Sequence, residues 1–273
     1  MKQIGTMGLW CFLVVGCLGL SGCFTLGEAP TQGKNGRLEF TYTGGFFGSG
    51  TPGCFFGCSL HRAMVVGAEE RVATRTIANP IPLNRVESSD TKVFEVVSFK
   101  HRATCCEETS SGQVCSSSTT CTGPTGHSYT FNLKAVGVGK ADLILRAQDG
   151  SVLESVSLRV AKPERVEVQW RDWNNESSAV YRPYSNVTFS TDKSYSLMVK
   201  AYDKDGFTMQ IGSAASLALS NPDVAAFETT ILSKGTTSNL RQASAVLRCK
   251  TKGQLELSAK VGGLTQNVKI VVK

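Results

Sequence analysis

Apolar and polar residues alternate along most of this chain, and the alternation repeats. Leu143, Leu145, Ala147, Gly150, Val156, Leu158 and Val160 recur 112 positions later as Leu255, Leu257, Ala259, Gly262, Val268, Ile270 and Val272. A spacing of two places every second side chain on one face of a strand, so each set predicts a hairpin with one buried face. The turns fall at Asp149-Gly150 and Gly262-Gly263. Upstream, Ser89-Asp90-Thr91-Lys92-Val93 matches Ser220-Asn221-Pro222-Asp223-Val224 at an offset of 131. The first copy therefore carries 131 − 112 = 19 extra residues between Val93 and Leu143, and a cluster of cysteines falls inside that interval. No sustained helical period appears beyond the first 22 residues, and the chain reads as all-β, built from two copies of one unit.

Each unit is close to the ~100 residues of an Ig-like sandwich. The phrase Ser220-Asn221-Pro222-Asp223-Val224-Ala225, the Gly-led strand at Gly253 and the terminal valine strand resemble the bacterial Ig-like (Big) domains of cell-surface proteins. Ser88-Ser89-Asp90-Thr91-Lys92-Val93 and Gly139-Lys140-Ala141-Asp142-Leu143 resemble the same family more loosely. The resemblance implies two tandem Ig-like β-sandwiches, over residues 37–161 with a cysteine-rich insert and over 162–273. Its motifs are turns and core positions, so they specify a fold and no ligand. Ala161-Lys162-Pro163-Glu164 reads as a short linker, because Pro163 has no amide to continue a ladder.

The amino-terminal segment has a different grammar. From Ile4 to Leu20 the chain is apolar apart from Thr6 and its glycines, with Lys2 in front and Leu20-Ser21-Gly22-Cys23 behind. As a helix this run covers only about 25 Å of a ~30 Å hydrocarbon core, short for a span. It resembles a bacterial lipoprotein signal with its lipobox. The resemblance implies a signal peptide over residues 1–22, cleavage between Gly22 and Cys23, and lipidation of Cys23. A diacylglyceryl thioether with a further acyl chain would anchor the chain stably in a membrane, where a single chain holds only reversibly. Phe24 stands where Asp would favour the inner membrane, so the outer membrane is expected, with the face left open. Residues 23–36 read as a glycine-containing flexible tether.

Charge adds little. The chain has 29 Lys and Arg against 22 Asp and Glu, a formal net charge of +7. In an exported body the excess reads first as a solvated basic face, with an envelope protein or an anionic surface polymer as the alternative partner, and not nucleic acid.

The cysteines carry the candidate chemistry. Of the ten, Cys11 and Cys17 leave with the signal and Cys23 takes the lipid. Cys54, Cys58, Cys105, Cys106, Cys115 and Cys121 all fall in the first unit, and an oxidising compartment favours three disulfides among them. Cys105 and Cys106 are neighbours on opposite faces of a strand and serve different partners. The remaining connectivity is open. A metal site is the alternative, since His61, His101 and His127 lie three, four and six positions from a cysteine. The Cys-x3-Cys and Cys-Cys-x8-Cys-x5-Cys spacings match no structural zinc pattern, so neither metal nor cofactor is expected. Cys249 alternates with polar neighbours and reads as a buried small hydrophobe.

Other motifs give way to plainer readings. Asp203-Lys204-Asp205-Gly206 opens like a calcium loop, but Ala214 occupies the twelfth position where a bidentate Glu is needed, leaving a hairpin turn. Gly45-Phe46-Phe47-Gly48-Ser49-Gly50 lacks the strand-to-helix context of a nucleophile elbow. Trp170, Trp173, Tyr181 and Tyr184 fit a binding surface or packing between the units equally well. No constellation supports catalysis. The sequence thus predicts a lipid-anchored, non-catalytic structural or interaction module, with two alternatives: an adhesin that binds through the cysteine-rich insert, and a metal or thiol-redox protein.

Overall fold

The computed structural model describes residues 29–43, 59–76, 83–109, 112–116, 125–172, 182–183, 186–228, 236–237, 239–240 and 244–273. The first half forms strands β1 (Thr31–Gln32), β2 (Leu38–Tyr42), β3 (Met64–Val65), β4 (Glu69–Thr76), β5 (Arg85–Ser88), β6 (Phe94–Thr109), β7 (Gly112–Ser116), β8 (Thr125–Ala135), β9 (Gly139–Arg146) and β10 (Val152–Ala161). The second forms β11 (Arg165–Asp172), β12 (Arg182–Pro183), β13 (Asn186–Phe189), β14 (Ser194–Tyr202), β15 (Ala215–Leu219), β16 (Ala225–Glu228), β17 (Thr236–Thr237), β18 (Asn239–Leu240), β19 (Ser244–Cys249), β20 (Gly253–Val261) and β21 (Leu264–Val272), with a 3-10 turn at Gly212–Ala214.

Each half is a pair of sheets around its own core. In the first, a six-stranded sheet ordered β1-β2-β4-β8-β6-β7 faces a four-stranded sheet ordered β3-β10-β9-β5. Phe40, Val72, Phe94, Phe131 and Leu133 of the larger sheet pack with Leu143, Leu145, Leu158 and Val160 of the smaller. In the second, β12-β11-β14-β19-β16-β17 faces β13-β21-β20-β15-β18, enclosing Val168, Leu197, Phe227, Leu247, Leu257 and Ile270. Alternation makes this possible: β9 buries Ala141, Leu143 and Leu145, and β20 buries Leu255, Leu257, Ala259 and Val261.

The repeated Ser-Asx…Val phrase is a lock that the structure closes twice. The Val93 carbonyl accepts from Val136 N and Gly137 N at 2.9 and 3.2 Å, and the Val224 carbonyl from Lys250 N and Thr251 N at 2.8 and 3.3 Å. Ser89 N donates to the Asp142 carbonyl at 2.8 Å while Ser89 Oγ accepts from Asp142 N at 2.8 Å. Ser220 makes the same pair with Glu256, at 3.0 and 2.8 Å. The glycine that opens each following strand is required by the same valine: a Cβ on Gly139 would lie 2.7 Å from Val93 Cγ2, and one on Gly253 2.6 Å from Val224 Cγ2.

This lock corrects the spacing read from the sequence. Gly139 and Gly253 are equivalent, as are Asp142 and Glu256, so the outgoing strands are related by 114 and not 112. The returning strands keep 112, since Val160 sits opposite Gly139 and Val272 opposite Gly253. The first hairpin absorbs the two-residue difference in its longer connection, residues 147–151 against Gly262-Gly263, and in a bulge near Val152 and Glu154. A slip of two keeps every apolar residue on the same face, which is why alternation alone could not detect it.

The cysteine-rich insert takes a definite form, and one further expectation changes. In the described part of that insert the chain is strand: β6 and β8 pair from Phe94 opposite Ala135 to Cys105 opposite Thr125, and β7 pairs with β6 from Cys105 to Thr109. The flexible-tether reading fails from Thr31 onward, where Thr31–Gln32 pairs with β2. Buried Glu154 fixes the turn that follows, accepting from the backbone N–H groups of Asn35, Arg37 and Leu38 at 2.7, 2.8 and 3.3 Å.

Candidate functional site

Residues 59–68 join the two halves. Leu60 and Met64 belong to the first core, whereas Ala63, Val65 and Ala68 belong to the second. β3 lies between β10 of the first half and an isolated bridge at Gln210 of the second. It pairs in parallel with β10, placing Met64 opposite Val160, and on its other side Val65 N donates to the Gln210 carbonyl while Gln210 N donates to the Ala63 carbonyl, both at 2.8 Å. Gly262 lets the β20–β21 turn close on this seam, because a Cβ there would lie 2.7 Å from Pro163 Cδ and 2.8 Å from Val65 Cγ1.

Polar groups line the same junction. Arg159 on β10 donates to Asp203 Oδ2, while Asp203 Oδ1 accepts from the backbone N–H groups of Asp205 and Phe207 at 3.1 and 2.9 Å. Burial works against the Asp203 charge, but the Phe207 amide, Arg159 and the Asp205 amide outweigh it and hold its carboxyl below the usual range. The Asp203–Gly206 stretch is thus a hairpin turn, as read from the sequence, with Gly206 at φ +82°.

Glu70 is the unusual member of this junction. It sits on the inward face of β4 with Val72 and Thr74, all three buried. The Gly212 N–H donates to its carboxyl, yet burial dominates and pushes the group up to about 8. Among the described residues Glu70 Oε1, Tyr42 Oη and Gln210 Nε2 are buried without hydrogen-bond partners. Burial, and then the nearby Glu70 carboxyl, raise the Tyr42 phenol as well. The neighbouring Glu69 N donates to Ser213 Oγ at 3.1 Å. A carboxyl on the apolar face of an alternating strand was the available signal for this group.

The cysteine positions divide. Cys105 and Cys106 lie on β6 and Cys115 on β7, with Cys106 in register with Cys115 and Cys105 with Ser116. Gly22, Cys23, Cys54, Cys58, Cys121 and the glycine- and phenylalanine-rich segment at 45–50 lie outside the described residues. His61 and His101 are exposed, and His101 stacks on Tyr129 with ring centroids 5.0 Å apart. No three His, Cys, Asp or Glu side chains converge as metal ligands among the described residues. No helix there is long and apolar enough to cross a membrane. Cys249 is buried and unbridged, its thiol pushed up to about 12 by burial, as the alternation around it predicts. Trp170 packs on the second core, edge-on to Phe189 and Tyr195 at 5.1 and 5.8 Å. Trp173, Tyr181 and Tyr184 lie outside the described residues.

The fold defines the class: an all-β chain of two-sheet sandwiches. No protein family and no curated protein matches the sequence. Among solved structures, domains 5–6 of the S-layer protein SbsC align over 78% of this chain and 93% of their own length, at 16% identity and a TM-score of 0.27. The fibronectin(III)-like modules of CbhA from Clostridium thermocellum align over 86% and 94%, at 14% identity and a TM-score of 0.22. The D0-D1 domain of intimin aligns over 77% and 92%, at 12% identity and a TM-score of 0.20.

Proposed function

We propose that this chain is a lipid-anchored protein of the cell envelope, held to a membrane through Cys23 and acting there as a non-catalytic structural or interaction module. The lipobox-like Leu20-Ser21-Gly22-Cys23 supports the anchor, and Phe24 favours the outer membrane. The observation that carries the module is the seam. Strand β3 is shared between two cores, and the junction is lined by backbone pairs and the Arg159–Asp203 ion pair. Such a joint resists bending, which suits a body that must hold a position relative to its anchor. Its partner is an envelope protein or an anionic surface polymer.

Metabolic labelling with a fatty-acid analogue tests the anchor. Wild type takes up label, and Cys23→Ala loses it together with lipoprotein-type cleavage; equal label on both refutes the anchor. The adhesin reading is favoured by one observation. β6 runs for 16 residues, pairing with β8 as far as Cys105 and with β7 from Cys105 onward, a long ribbon with an extended edge that a second protein could engage. Protease accessibility on intact cells separates the two, since an adhesin is cleaved there and a periplasmic module is protected.

A further inference from the structure

We propose that Cys106 and Cys115 are the pair that closes into a disulfide when this chain is oxidised, stapling the β6–β7 ladder across one rung. The pairing follows from backbone register, and its oxidising setting rests on the export reading above. The ladder runs Thr109 opposite Gly112, Glu108 opposite Gln113, Glu107 opposite Val114, Cys106 opposite Cys115 and Cys105 opposite Ser116. Only two residues separate Thr109 from Gly112, so this closing rung is of the hydrogen-bonded kind. Rungs alternate in an antiparallel ladder. The third rung after the closing one, Cys106 opposite Cys115, is therefore of the non-hydrogen-bonded kind, in which facing Cα atoms approach to about 4.5 Å. That separation lies within the roughly 4.4–6.8 Å that a disulfide spans.

Cys105 is excluded by the same register. Its partners are Ser116 on one side and Thr125 on the other, and it stands on the opposite face of the strand from Cys106. Closing the bridge oxidises two thiols to one S–S bond. Two protons are released and two electrons pass to an exchange oxidant, a protein or small-molecule disulfide that becomes two thiols. The ring is short, so the chain entropy it removes is small compared with that of a long loop. The staple therefore fixes the register of the ribbon more than it stabilises the sandwich. It also leaves Cys54, Cys58, Cys105 and Cys121, which allow three connectivities in place of an open set.

The test uses the full chain purified from the envelope, alkylated without reductant, cut on the carboxyl side of Glu107 and Glu108, and sequenced by fragmentation that preserves S–S bonds. A peptide containing Cys106 joined to one containing Cys115 is the expected product. Alkylation of both should be at least tenfold lower than after reduction. In Cys106→Ser the newly alkylated thiol is Cys115, and in Cys115→Ser it is Cys106. A bridge from either cysteine to any other overturns the proposal. If the purified chain is wholly reduced, it is exposed to oxidised glutathione. A Cys106–Cys115 bridge as the first product then upholds the register argument while refuting export to an oxidising compartment, and any other first product overturns the proposal.

Discussion

Replacing Glu70 by Gln should remove a pH dependence from the stability of this chain. Glu70 is held in the seam with its pKa raised from 4.5 to about 8. An acid whose folded pKa is raised keeps its proton in the native state after the unfolded chain has lost it, so native stability falls as pH rises between the two values. Below about pH 4.5 both states are protonated and the group costs nothing. Above that, stability falls by about 1.4 kcal/mol per pH unit, reaching roughly 3 kcal/mol by pH 7, and levels off near pH 8. Gln keeps the shape and still accepts from the Gly212 N–H, but it cannot ionise. The assay is urea unfolding of the whole chain and of Glu70→Gln at pH 5, 6, 7 and 8. The variant should gain on wild type by roughly 1 kcal/mol at each step up to pH 8, the last step being the smallest. Tyr42, which lies near Glu70, has its pKa raised and stays protonated throughout. A difference between the two proteins that is constant from pH 5 to 8 would refute the buried-acid account of the seam.

Three other outcomes follow from packing and hydrogen bonding. Glu154→Ala strips acceptors from three backbone N–H groups at Asn35, Arg37 and Leu38 and should cost about 3–5 kcal/mol; limited proteolysis should then cut at residues 33–38, and resistance equal to wild type contradicts the assignment. Gly253→Ala should destabilise by about 1–3 kcal/mol through the clash with Val224, and Val224→Ala in the same chain should recover part of it, so simple additivity in a double-mutant cycle counts against the lock. Cys249, with its thiol pushed up to about 12, should alkylate only in denaturant when modification is followed residue by residue; rapid labelling of the native chain would place it elsewhere.

Much of this fold was legible because alternation and turn chemistry are local. Leu255 and Leu257 announce a strand with one buried face, and Cys249 can be placed in the core from its neighbours alone. What alternation could not fix was length. A two-residue slip in the first hairpin leaves every apolar position on its own face, so the 114 offset became visible only once Val93 and Val224 were seen seated against Gly139 and Gly253. The glycines of 33–36 suggested a flexible tether, because the residue that holds the segment, Glu154, lies more than a hundred positions away in the sequence. The strands of the cysteine-rich insert are hard to read for a related reason: its Ser and Thr residues give no apolar alternation, although Thr pairs well in strands.

The seam was illegible for a deeper reason. In residues 59–68 consecutive apolar residues serve different cores, Met64 one and Val65 the other. To a sequence reading they form a short apolar run that assigns neither face. A strand buried on both sides loses the alternation that identifies a strand with one wet face. The same burial explains Glu70. A carboxyl enters the junction only by giving up its charge, and a sequence cannot reveal that cost because the second core responsible for it arrives from Gln210 and Gly212, about 140 residues downstream. The partition of β3 between two cores therefore couples the two sandwiches at the place where the chain carries its raised acid.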